Sequence, residues 1–149
     1  MTATIRTRIA ESADAAGLAQ LVRLNTLFNG ASDSAEQIAA RLRDPRRVET
    51  IILAETDDCI VGFAALRIVP CVFFSEPYAE LTELYVDEDN RRHGVGRALV
   101  TDVEKLAREA GARQILILTD FYNNAAQSLY RAMGYAHYDI ALTKDLFDK

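Results

Sequence analysis

The sequence predicts an α/β fold of the α+β kind: a mixed, mostly antiparallel sheet with a central parallel βαβ unit and helices on both faces. Three observations predict it. Residues 48–55 and 59–69 are β-rich runs split by Thr56, Asp57 and Asp58, a composition suited to a hairpin turn. Residues 80–87 and the apolar run 114–118 flank one long amphipathic stretch, the pattern of a strand, a crossover helix and a parallel strand. Shorter stretches with apolar residues three and four apart lie on either side and read as further helices.

In chain order, residues 4–10 alternate apolar and polar side chains and read as a strand, after which Ser12 or Asp14 can cap a helix. The apolar face Leu18, Leu21, Val22, Leu24, Leu27 and Phe28 runs to a stop at Asn29 and Gly30. Ser34 and Gln37 have capping-box spacing; the helix they start turns Ile38 and Leu42 inward and ends at Asp44-Pro45. The hairpin of residues 48–69 follows, then a loop over 70–78 holding two prolines and three aromatics. After the strand 80–87, a helix spans 95–110 with Val95, Leu99, Val103, Leu106 and Ala110 as its stripe, and Gly111 closes it. Residues 114–118 read as a strand buried on both faces. A short helix then places Ala126, Leu129, Tyr130 and Met133 on one side and stops at Gly134, and the loosely alternating tail predicts one last strand.

The 149 residues suit a single domain, residues 1–149, that can build one good core. A net charge of −5 without a run of five like charges gives no footprint for nucleic acid or for a polybasic membrane contact. Cys59 and Cys71 lack metal-ligand spacing and read as buried packing residues, so no metal is expected; His93 and His137 have no partner cluster either. No signal-peptide core and no 18-residue apolar run occurs, from which a cytoplasmic location is expected.

The most informative stretch is Arg91-Arg92-His93-Gly94-Val95-Gly96-Arg97, two glycines and three arginines where a loop becomes a helix. Helix N-termini present unpaired N–H groups and the positive end of the macrodipole, and glycines let an anion approach the backbone closely. Arg97 in the first turn opposes the macrodipole by about 0.3–1 kcal/mol, so its placement suggests an anion that neutralises it, such as a diphosphate. A structural alternative pairs Asp87, Glu88 and Asp89 with Arg91 and Arg92 on a solvated loop. GVGRA also fits the G-x-G-x-x-A fingerprint of dinucleotide-binding domains, but seven residues separate Val86 from Gly94, and the 55 residues that remain are too few for a six-stranded doubly wound sheet.

Two segments, ELYVDEDNRRHGVGRALV and NNAAQSLYRAMGY, together resemble the GNAT superfamily of acyl-CoA-dependent N-acyltransferases. Arg91, Gly94 and Gly96 fall on the family's R/Q-x-x-G-x-G/A loop; Asn123, Ala126, Leu129, Tyr130, Gly134 and Tyr135 fall on its N-x-x-A-x-x-L-Y-x-x-x-G-F/Y segment. The resemblance implies acetyl-CoA as donor, with loop amides of Arg92, His93, Gly94, Val95, Gly96 and Arg97 on the pyrophosphate and pantetheine in a splay between strands 80–87 and 114–119. It implies a bulge in the first of these strands that frees a backbone N–H near Leu84 for the thioester carbonyl, with Tyr85 and Val86 along the same cofactor-facing strand. It further implies Asn123 and Ala126 near the cofactor, Tyr130 as the acid that protonates the departing thiolate, and commonly a homodimer.

Attack by an amine on a thioester needs a base. By resemblance Glu80 matches a general-base glutamate and Glu83 an acceptor-binding acid; three apart on a strand, they face opposite sides unless a bulge intervenes. The acceptor, a primary amine of a small molecule or peptide, is expected against Asn25, Phe28 and Asn29 and the rings of Phe73, Phe74 and Tyr78, whose faces attract an alkylammonium. The alternatives are a non-catalytic acyl-CoA sensor and the dinucleotide binder.

Overall fold

A computed structural model describes residues 4–24, 34–137 and 140–146. The chain forms two compact units, residues 1–117 and 118–149. In the first, strand β1 (Arg6–Ile9) leads into helix α1 (Ala15–Leu24), and helix α2 (Ala35–Arg43) leads into β2 (Glu49–Thr56), β3 (Cys59–Val69) and β4 (Tyr78–Val86). Helix α3 (Val95–Glu109) then crosses to β5 (Ile115–Ile117). The sheet order is β1-β2-β3-β4-β5, with every pair antiparallel except β4 and β5. One parallel pair among four is not the parallel, doubly wound sheet that a dinucleotide binder requires.

Local chemistry sets most element ends. Ser34 accepts the Gln37 N–H at 3.3 Å while Gln37 accepts the Ser34 N–H at 2.7 Å, the reciprocal cap its spacing predicts. Asp57 and Asp58 take left-handed φ values of 49° and 62°, which lets a two-residue turn close the β2–β3 hairpin. The α1 start differs from expectation: Asp14 ends a short 3-10 turn and accepts the Glu11 N–H at 2.7 Å, while Arg8 holds the same carboxylate.

Alternation along the strands divides the core. Leu53, Phe63 and Tyr85 pack with Leu18 and Leu21 of α1, and Ile38 and Leu42 of α2 join them. On the opposite face α3 contributes Leu99, which a Cβ built on Gly62 of β3 would meet at 3.4 Å. Val95, Leu99, Val100 and Val103 are almost wholly buried, each stabilising the fold by about 1.5–3 kcal/mol. Among the described residues Glu55 is the one buried charged residue, and Arg6 and Arg8 both pair with it across β1 and β2.

Three expectations need correction. Cys59 opens β3 in an exposed position and Cys71 is half-exposed, so neither is a core residue. The strand at 114–118 shortens to three half-buried residues, and Leu118 is 57% exposed. In the second unit, helix α4 (Asn124–Ala132) forms as expected and Gly134 follows it at φ 93°, but no strand occurs among the described residues of the tail. Ile140, Leu142 and Leu146 there are exposed, so the alternation buries no face.

Candidate active site

Strand β4 carries the predicted acids, and its pairing decides where they point. Leu81 pairs with Leu66 but Glu83 pairs with Ala65, which leaves Thr82 as an extra residue in a bulge. Glu80 lies opposite Arg67, and since residues 65 and 67 of β3 share a face, Glu80 and Glu83 share it too. This is the α1/α2 face. Its rungs read Glu49, Arg67, Glu80, then Ile51, Ala65, Glu83, then Leu53, Phe63, Tyr85.

The two glutamates have different neighbours. Arg67 holds Glu80 in an ion pair, half-buried on the carboxylate side. Glu83 has no ion pair among the described residues; desolvation first, and the charge of Glu49 second, raise its carboxyl above the ordinary glutamate range. Glu49 takes the Thr82 hydroxyl at 2.9 Å, so the bulge residue ties β4 to β2. The sequence reading missed Glu49, Arg67 and Thr82, because nothing local in the sequence states which strand residues lie opposite each other.

Strand β5 pairs only with residues 79–81 of β4. From Thr82 to Val86, β4 has β3 on one side and no strand partner on the other among the described residues, so backbone polar groups of the Leu84–Val86 segment remain to be used. Of the residues predicted on this segment, Tyr85 buries its ring against Phe63 at 6.1 Å between centroids. Its side chain is therefore core, and any contact with a ligand falls to its backbone.

The loop after β4 is partly structural and partly open. Arg91 donates to the Val86 carbonyl at 2.9 Å, pairs with Glu88 at 3.7 Å and lies over the Tyr85 ring, so it orders the turn, much as the structural alternative supposed for it. Asp87 instead accepts from Asn90 at 3.1 Å. Arg92, at φ 63°, and Arg97 are exposed with no ion pair among the described residues, and His93 is exposed beside them. Gly94 is the N-cap of α3 at φ 89° with no side chain among the described residues capping the helix, so the first-turn amides of Val95, Gly96 and Arg97 keep donors for a ligand. The Val95 side chain is buried, leaving only its amide for a ligand. An exposed, uncapped helix start between two free arginines fits a diphosphate, and the unpaired edge of β4 fits an extended amide chain; both are features of coenzyme A.

In the second unit, Asn123 caps α4 by accepting the Ala126 N–H at 3.1 Å. Tyr130 is 9% exposed and sits edge-on to Tyr135 at 5.8 Å. Burial pushes its phenol up to about 12, so it keeps its proton at neutral pH. Phe73, Phe74 and Tyr78 are 90%, 69% and 59% exposed around the β3–β4 turn. Asn25, Phe28 and Asn29 lie outside the described residues.

A mostly antiparallel sheet with a bulged fourth strand, a short parallel fifth strand and a glycine-started helix between them defines an acetyltransferase class of fold. The chain shares that fold with the aminoglycoside N-acetyltransferase AAC(6')-Iy, solved in complex with CoA, at a TM-score of 0.81 and 20% identity, over 97% of this chain and 96% of that one. Residues 17–135 match the Acetyltransferase (GNAT) family, and the chain belongs to this family of acyltransferase enzymes. It is 30% identical over 132 residues to the uncharacterized N-acetyltransferase YhfO of Bacillus subtilis, which covers 86% of this chain and 87% of that protein. To N-acetyltransferase 8 of Homo sapiens it is 31% identical over 83 residues, 56% of this chain. That match takes in 37% of the human protein, so the chain spans little more than a third of that relative's length.

Proposed function

We propose that the chain transfers an acetyl group from acetyl-CoA to a primary amine of a small molecule or peptide, by direct attack in a ternary complex, with residues 1–149 working as one transferase domain. The observation that carries the reading is the start of α3: a left-handed Gly94 opens a helix with uncapped amides just after β4 loses its partner. Acetyl-CoA supplies the activated acyl group. The amides of residues 92–97, with Arg92 and Arg97, hold its pyrophosphate, and the backbone of Leu84, Tyr85 and Val86 takes pantetheine. A backbone N–H beside the Thr82 bulge meets the charge that develops on the thioester carbonyl; such a preorganised donor supplies a few kcal/mol.

Glu83 takes the proton from the acceptor ammonium, directly or through water, because its carboxyl is raised above the ordinary glutamate range and no cation among the described residues holds it. Glu80, committed to Arg67, shapes the face instead. Following the family resemblance, Tyr130 is assigned the proton that the departing thiolate takes up, which it recovers from the nitrogen of the new amide, and Asn123 and Ala126 are assigned contacts with the cofactor. No helix among the described residues is long and apolar enough to cross a membrane. We place the protein in the cytoplasm and, following the family resemblance, as a homodimer. Calorimetry with acetyl-CoA, followed by thiol-release assays over a panel of amines, tests the reading: saturable binding and amine-dependent release are expected, and no binding overturns it.

A further inference from the structure

The face that carries Glu49 and Glu83 also floors a cleft of about 310 Å³ beneath α1 and α2. Leu18, Val22, Ile38, Leu42, Ile51 and Phe63 make it apolar, and its charged members are Glu49, Arg41 and Arg47. Its size lies at the small end of ligand pockets, which run from about 300 to 1,000 Å³. Ile51 belongs to the same rung as Glu83, so the apolar floor and the two carboxylates adjoin.

Resting on the transferase reading above, we infer that the acceptor is a monoamine with an apolar body, its ammonium at Glu49 and Glu83 and its body on the cleft floor. Charge supports the ammonium end. Arg67 is hydrogen-bonded to Glu80 and reaches Glu49 only through its charge, and Glu49 accepts one hydrogen bond from the Thr82 hydroxyl, which leaves carboxylate lone pairs for a further donor. Glu49 also penalises the ionised form of Glu83, a repulsion that a cation between them removes. The lining argues against polycations. Extra ammonium groups of a polyamine or aminoglycoside would be desolvated against leucine, isoleucine and phenylalanine, and Glu49 is the one carboxylate among the described residues of the lining.

The test measures thiol release from acetyl-CoA with phenethylamine and leucinamide against spermidine and kanamycin, on the full chain. The apolar monoamines are expected to exceed the polycations in kcat/KM by roughly tenfold or more. Glu49→Gln is expected to raise the KM for phenethylamine roughly 10- to 100-fold, with acetyl-CoA affinity unchanged. Val22→Phe, which fills the cleft from α1, is expected to raise the same KM and gives a second reading should Glu49→Gln fold poorly. Preference for spermidine or kanamycin, or wild-type KM values in both variants, overturns this inference while leaving the transferase standing. Acetyl-CoA binding without release by any amine overturns the transferase reading itself, and this inference with it.

Discussion

Glu80 and Glu83 stand on one face of β4, and their different neighbours predict opposite outcomes for the same substitution. Glu80→Gln loses an ion pair with Arg67 at a partly exposed position, where such pairs contribute about 0–1 kcal/mol, and kcat is expected to change by only a few-fold. Glu83→Gln removes the base, and a positioned base contributes roughly 10²–10⁴ in rate, about 1.4 kcal/mol of barrier for each factor of ten. The pH profile carries the sharper signature. Desolvation and Glu49 raise the Glu83 carboxyl, so kcat/KM falls as pH drops through a value above the ordinary glutamate range. Glu49→Gln takes away the repulsive part and moves that acid limb to lower pH. Stability follows the opposite sign: a raised folded-state value favours the protonated form, so its contribution is complete below the unfolded value and is lost as pH rises through the folded one. Glu83→Gln therefore melts higher than the parent at pH 7 and no higher at acidic pH. The assay is initial-rate thiol release across pH with thermal melts in the same buffers. A Glu80→Gln protein that is dead beside an active Glu83→Gln protein would refute the assignment.

Gly94→Ala forces a Cβ into a left-handed φ of 89°; the nearest atom is Ile5 Cδ1 at 3.8 Å, so the cost is backbone strain of about 1–2 kcal/mol rather than a clash. For a chain of this size that lowers Tm by roughly 2–8 °C, and calorimetry should show weaker CoA binding as well. Tyr130→Phe removes the proton donor but keeps the buried ring, so kcat is expected to fall roughly 10²-fold or more with acetyl-CoA binding intact; unchanged turnover would dismiss Tyr130 as the acid. Deleting Thr82 restores regular β3–β4 pairing without moving Glu83 from opposite Ala65, so kcat should drop roughly 10²–10³-fold with the fold kept, whereas Thr82→Val should stay within about tenfold of the parent.

What could be read from the sequence divides by the range of the interaction concerned. The Ser34–Gln37 cap, the Asp57-Asp58 turn and the glycines after α3 and α4 are set within four or five residues, and each forms where its residue types predict. The start of α3 is of this kind, since Gly94 and the donors beyond it are neighbours in the chain. The tail is the complementary case: residues 140–146 alternate in sequence, yet they form no strand among the described residues and leave Ile140, Leu142 and Leu146 exposed, because alternation alone supplies no pairing.

The acid cluster needed the register of three strands. Glu49, Arg67 and Glu80 are spaced 18 and 13 residues apart in sequence, and only the pairing of β2 with β3 and β3 with β4 puts them in one rung. Within β4 the decisive feature is a single surplus residue. A regular strand would send Glu80 and Glu83 to opposite faces, one toward α3 and one toward the cleft; the bulge at Thr82 sends both to the cleft side. The same residue marks the point where β5 lets go of β4, and its hydroxyl binds Glu49. Thr82 thus couples the edge proposed to receive the donor on one side to the carboxylates proposed to receive the amine on the other. Nothing in the letters ELTELYV distinguishes it from an ordinary strand threonine: a bulge is a count of residues relative to the partner strand, and that count exists only once the partner is in place.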